Sequence, residues 1–209
     1  MIDFAIYSFV VLFIIVDPIA NVPVFFSILE SFDPSHRKPM IKKAVGIASV
    51  VLLTFILLGK YLLDYLGIEM YSFQIAGGIL LFIIALEMLL GYRTRTKSSV
   101  EEEDEAKRRE DVTATPLAVP LLAGPGAITA GIVLFNSAKS PLEVVILVFN
   151  VILVFLVSYL ILSKFEVIFK VLGNTGTRVI VRIMGLLLAA IAVQFVIDGM
   201  GEAIRGLAL

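Results

Sequence analysis

Asp17-Pro18-Ile19-Ala20-Asn21-Val22-Pro23 cuts the apolar stretch Phe4–Leu29 near its middle. A second stretch, Val112–Ala138, is cut in the same way by Gly124-Pro125-Gly126-Ala127-Ile128-Thr129, whose proline stands 107 residues after Pro18. Proline lacks the backbone donor and clashes with the preceding turn, so neither stretch reads as one regular helix. A helix broken at bilayer depth exposes polar backbone that lipid cannot satisfy. Such breaks persist only against protein or a watery cavity. Two of them, at matching places in two halves of a chain, point to a binding site at mid-depth.

The rest of the chain agrees with a lipid solvent. Of 209 residues, 59% are hydrophobic, and the mean hydropathy is +1.02. A soluble domain of this length could not hide so much apolar surface. Six spans are predicted: Phe4–Leu29, with Asp17 its only charge, then Ala44–Leu63, Met70–Leu90, Val112–Ala138, Val144–Ser163 and Val179–Ile197. Most reach the roughly 20 residues that cross about 30 Å of hydrocarbon. The fold expected is therefore all-α, a polytopic membrane protein. Met1-Ile2-Asp3 lacks the basic stretch of a signal peptide, so the first span is expected to be retained. The absence of cysteine excludes disulfides and thiolate metal sites. No metal or cofactor motif stands out, and no nucleic-acid partner is expected.

Cations are unevenly shared. With six spans, the segments after the first, third and fifth lie on one side and hold fourteen of the 17 Lys and Arg residues, from Arg37 to Arg182. The other side keeps Lys60, Lys139 and Arg205. By the positive-inside rule the first side is cytoplasmic, which puts both termini outside a cytoplasmic membrane.

The chain divides into a first three-helix repeat, 1–92, a charged cytoplasmic linker, 93–111, and a second three-helix repeat, 112–209, forming one membrane domain. Beyond the breaks, Gln74–Gly91 aligns with Arg182–Gly199 at an offset of 108, matching Ile75 with Ile183, Gly77 with Gly185 and Gly91 with Gly199. Three spans per half force the halves to lie inverted, the 3+3 plan that brings broken first and fourth helices together at the midplane.

The two breaks differ in chemistry. Asp17 is expected to cap a new half-helix with Pro18 at its first position, and an ionised carboxylate at that depth needs a partner. Asn21 and Pro23 prolong the irregular section. In span four, Gly124 replaces the acid, Pro125 starts the next half-helix, and Gly126 and Ala127 leave bare amides with room around them, an anion site. One half thus offers a carboxylate for an ammonium or a coupling cation, and the other offers amides for a carboxylate. Small lining residues (Ala20, Gly124, Gly126, Ala127) suit a small zwitterion, with Thr129 one turn beyond the break. Gly77, Gly78 and Gly185 read as close helix packing or gating near the site. Asn136, Asn150 and Gln194 suit interhelical hydrogen bonds, and His36 is expected to be solvated in a basic loop.

The stretches Val16–Phe25, Phe73–Phe82 and Pro116–Thr129 resemble the signatures of the MarC family over nearly the whole chain. That resemblance implies a six-span inner-membrane protein from a family that includes a transporter of small neutral amino acids such as glycine and alanine. It carries roles at the site over to Asp17, Pro18, Asn21, Pro23, Gly124, Pro125, Gly126 and Thr129. Two positions depart from the pattern: Ala20 stands where glycine is usual, and Gln74 where arginine is usual. The function expected is secondary transport of small neutral amino acids by alternating access, coupled to protons or sodium through Asp17. An uncoupled small-solute exporter or a channel is the alternative. An enzyme is not expected, because no His-Glu-x-x-His motif occurs and an aspartyl pair needs two close carboxylates.

Overall fold

A computed structural model describes residues 1–91 and 113–207, and all the regular elements among them are helices. They are α1 (Ile2–Val16), α2 (Val22–Leu29), α3 (Pro34–Tyr65), α4 (Met70–Leu90), α5 (Thr113–Leu122), α6 (Pro125–Ser137), α7 (Pro141–Leu162) and α8 (Phe165–Leu207). The linker 93–111 lies outside the described residues.

Among the described residues four helices are long and apolar enough to cross a membrane: α3, α4, α7 and the Thr175–Gly206 part of α8. The pair α5–α6, bent by 55°, makes a fifth if counted as one span. The first predicted span is divided at its break, as expected, and is not among these helices. Its 15-residue α1 is apolar but short, and α2 adds eight residues after the break.

Two loops expected from charge are helical. Asp33 caps α3 and Pro34 opens it, a pairing that starts helices well, so His36, Arg37, Lys38, Lys42 and Lys43 ride on its first turns. His36 is exposed there, as expected. Lys170 and Arg178 lie within α8, which is kinked at Gly173 (φ 59°, ψ −173°). Charge marks where a chain leaves the bilayer, and helices continue past that boundary. The irregularity of α5 has a local cause: Thr115 (φ −135°) and Val119 (φ −126°) are extended, and each precedes a proline, which disfavours helical backbone.

Helices α4 and α8 pack antiparallel along their length. A methyl on Gly199 would approach the Tyr71 carbonyl and Ile75, one on Gly78 the Ala192 carbonyl at 2.8 Å, and one on Gly185 the Ala85 carbonyl at 3.2 Å. Glycine at these crossings lets the backbones meet. Around this pair, α1 packs on α7 and α3 on α5, while α2 packs on α8 and α6 on α4. One end of the bundle gathers Met1, 3.8 Å from Glu143, the end of α3, the start of α4 and the end of α8. The other gathers the α2–α3 turn and the start of α8, joined by Arg37 and Glu166.

Candidate functional site

The first break is built by Asp17. It is the only non-glycine residue with positive φ (46°) among the described residues, closing α1 with its N–H on the Phe13 carbonyl. Pro18 explains this: the residue before proline is pushed out of the right-handed helical region, and Asp tolerates the left-handed one better than most residues. Asp17 Oδ1 then accepts from the Ala20 N–H at 3.2 Å. Asn21 Nδ2 donates back to the Val16 carbonyl at 3.0 Å, satisfying a group that the break would orphan. Pro18 and Asn21 are buried with Asp17, which is 2% exposed.

One expectation is corrected here. Asp17 does cap a turn, but the helix beyond starts at Val22 with Asn21 as its N-cap and Pro23 in its first turn. Two prolines five residues apart prevent the helix from starting at Pro18, and residues 18–21 form a turn instead.

The second break has the expected outline. Gly124 (φ −79°, ψ 172°) is the N-cap of α6, with Pro125 behind it and no side chain on the exposed amides. Glycine is needed for space, since a methyl would sit 2.5 Å from the Pro120 carbonyl oxygen. The expected room around Gly126 is absent. A methyl there would press on Leu81 and Ile84 and come to 3.6 Å from Ile15. The cavity between Ile15, Ile84 and Gly124–Ala127 measures about 10 Å³, room for about one water. Apolar branches from α1 and α4 fill the space that small residues leave open. Ile15, Leu81 and Ile84 look like any other membrane-span residue in the sequence, so no local signal marked them.

The breaks therefore adjoin, with Ile15 at the end of α1 lying against Gly126 at the start of α6. Ala127 and Thr129 are buried. Gly77 faces the Thr129 methyl, which ties α4 to α6 one turn from the break, while Gly78 and Gly185 lie in the α4–α8 seam. Gln74 is buried on α4, one turn before Gly77. Among the embedded polar residues, Asn150 bonds across helices, as expected, whereas Gln194 bonds to Asp198 at 2.7 Å within its own helix. Among the described residues no group of acidic, histidine or cysteine side chains could hold a metal ion.

The family model of MarC family integral membrane proteins matches residues 2–204. The chain belongs to the MarC family. Within it, the protein is similar to a UPF0056 membrane protein of Methanocaldococcus jannaschii, at 41% identity over 95% of this chain and 87% of the relative. It is also similar to one of Archaeoglobus fulgidus, at 40% over 93% and 91%, and to one of Aquifex aeolicus, at 36% over 95% and 92%. No solved structure matches. Membership makes this MarC protein a multi-pass integral membrane protein.

Proposed function

We propose that this protein is a secondary transporter of small neutral amino acids such as glycine and alanine in the cytoplasmic membrane. Its two three-helix halves, 1–92 and 112–209, lie inverted, with both termini outside, and move against each other about the paired breaks. The observation that carries this reading is the meeting of two buried helix breaks of opposite polarity. One bears the carboxylate of Asp17. The other bears the uncapped start of α6, where backbone amides and the helix dipole favour an anion. A zwitterion is the smallest ligand that answers both. Pro18, Ala20 and Asn21 would line the first side, with Gly124, Pro125, Gly126, Ala127 and Thr129 on the second, and Asp17 would receive the coupling proton or sodium ion.

The packing pattern supports the inverted repeat. Exchanging each element for its counterpart turns α1–α7 into α5–α3, and both contacts occur. The cavity of about 10 Å³ is too small for any amino acid, so substrate enters only when the breaks move apart. A carrier that alternates between states has this need, whereas a standing pore would hold its path open.

The test is counterflow of labelled glycine and alanine into proteoliposomes of the purified protein. Saturable exchange is expected, with Asp17→Asn at least ten-fold slower. Conductance without saturation would replace the carrier by a channel. Equal transport of glycine and methylamine would remove the role of the α6 amides.

A further inference from the structure

The repeat runs further than the breaks, and its two ends are built differently. Pro34 and Pro141 open α3 and α7 at an offset of 107, and Gly67 (φ 67°) and Gly173 (φ 59°) close the corresponding stretches at an offset of 106. Over that length α3 is one helix of 32 residues. Its counterpart stops at Leu162, turns at Ser163–Lys164 and resumes as the first part of α8. Gly59 and Leu63 of α3 thereby correspond to Phe165 and Phe169.

At the basic end, this resumed segment lies on α2. The Phe26 ring stacks on Phe169 at 4.5 Å and meets Phe165 edge-on at 6.1 Å. Beside them Arg37 Nη1 pairs with Glu166 Oε1 at 2.6 Å. The same guanidinium donates to the Phe32 carbonyl at 2.8 Å and to the Glu30 carbonyl at 3.0 Å, so it binds the α2–α3 turn to α8. At the opposite end the equivalent seam, between α6 and the end of α3, is packed without aromatic rings, with Gly59 against Ile132 and Gly131 against Ile56. A cavity of about 360 Å³ bordered by Gly59, Leu63, Thr129 and Ile132 reaches Pro125 at the second break. Another of about 490 Å³ lies beside Lys60, Asn136 and Lys139.

We propose that this is a state of the carrier closed toward the basic end, with Phe26, Phe165 and Phe169 as the gate and Arg37–Glu166 as its latch. The moving part is the segment from Phe165 to Leu172. It pivots between the Ser163–Lys164 turn and Gly173, whose φ and ψ lie in a region that is essentially glycine-only. When it swings from α2, the Asp17 side of the site opens to the basic end. The inference rests on the carrier reading and adds which surfaces part.

The chain has no cysteine, so Phe26→Cys with Phe169→Cys gives one designed disulfide. In proteoliposomes the oxidised pair is expected to exchange amino acid at least ten-fold more slowly than the same pair reduced, with recovery on reduction. An oxidised pair that exchanges as fast as the reduced one overturns the gate while leaving the carrier standing. A parent protein that exchanges no amino acid sinks the carrier reading, and the gate with it. Glu166→Gln provides a second measurement should the pair fail to fold. Releasing the latch is expected to raise labelling of a single Phe26→Cys by an impermeant maleimide added at the basic side at least three-fold. Unchanged labelling there also overturns the gate.

Discussion

Asp17 has two separable jobs, a backbone shape and a charge, and substitutions divide them. Its left-handed backbone (φ 46°) costs most residues roughly 1–2 kcal/mol, and its carboxylate holds the Ala20 N–H. Asn tolerates the same backbone and retains an acceptor, so Asp17→Asn is expected to keep its unfolding midpoint within a few degrees of the parent while losing exchange. Asp17→Ala loses the acceptor and the tolerance together and should cost about 1–3 kcal/mol. Thermal unfolding of both variants in detergent checks this. If Asn destabilises as much as Ala, the charge is structural and the separation fails. Glycines sort the same way. A methyl at Gly78 would meet the Ala192 carbonyl and the Val196 side chain, so Gly78→Ala is expected to destabilise by about 1–3 kcal/mol through overpacking. Gly46→Ala, with open space around it, should stabilise slightly by helix propensity. Equal effects at the two positions would mean that α4 and α8 do not meet as described.

Asn150 makes a clear polar contact between helices. Its Nδ2 donates to the Ala5 carbonyl and to Ser8 Oγ, both at 2.8 Å, joining α7 to α1 between two apolar faces. Intramembrane bonds of this kind contribute about 0.6–2 kcal/mol. Asn150→Leu is therefore expected to lower stability by that amount. A double-mutant cycle with Ser8→Ala should give a coupling of a few tenths of a kcal/mol or more, and zero coupling would deny the contact. The sequence showed Asn150 and Gln194 alike as polar and embedded, suited to bonds across helices, and the structure bears this out for Asn150. For Gln194 the expectation failed, since Asp198 at i+4 on the same helix is as easy to reach. Element ends were legible where a specific residue dictates them: Pro18, Gly124 and Pro125 predict their breaks from backbone chemistry alone. The extents of α3 and α8 were not, because hydropathy reports the membrane boundary and the helix runs past it. Gly126 was misjudged for a related reason. Its missing side chain says that something comes close, and only the fold says that it is Leu81 and Ile84.

Topology follows from which termini share an end of the bundle. Met1 sits by Glu143, and a methyl on Gly199 would touch Tyr71 and Ile75 near the start of α4, so the two chain ends leave the bundle on one side. The other side carries Arg37, Lys38, Lys42, Lys43, Lys164 and Lys170, against Lys60, Lys139 and Arg205 on the first. An antiparallel α4–α8 pair is what an inverted repeat requires of its third and sixth spans, because a two-fold axis in the membrane plane exchanges them. In the proposed topology the positive-inside rule puts the basic side in the cytoplasm. Single cysteines introduced at Asp3, Glu202, Ser35 and Lys164 test this in intact cells, since no native cysteine interferes. All four positions are exposed. Asp3→Cys and Glu202→Cys are expected to react with an impermeant maleimide from outside, and Ser35→Cys and Lys164→Cys only after permeabilisation. Were Asp3 and Glu202 to label from opposite sides, the chain would cross an odd number of times. The two halves could not then be mutually inverted, and the pairing of a carboxylate break with an amide break would lose the symmetry that brings them together.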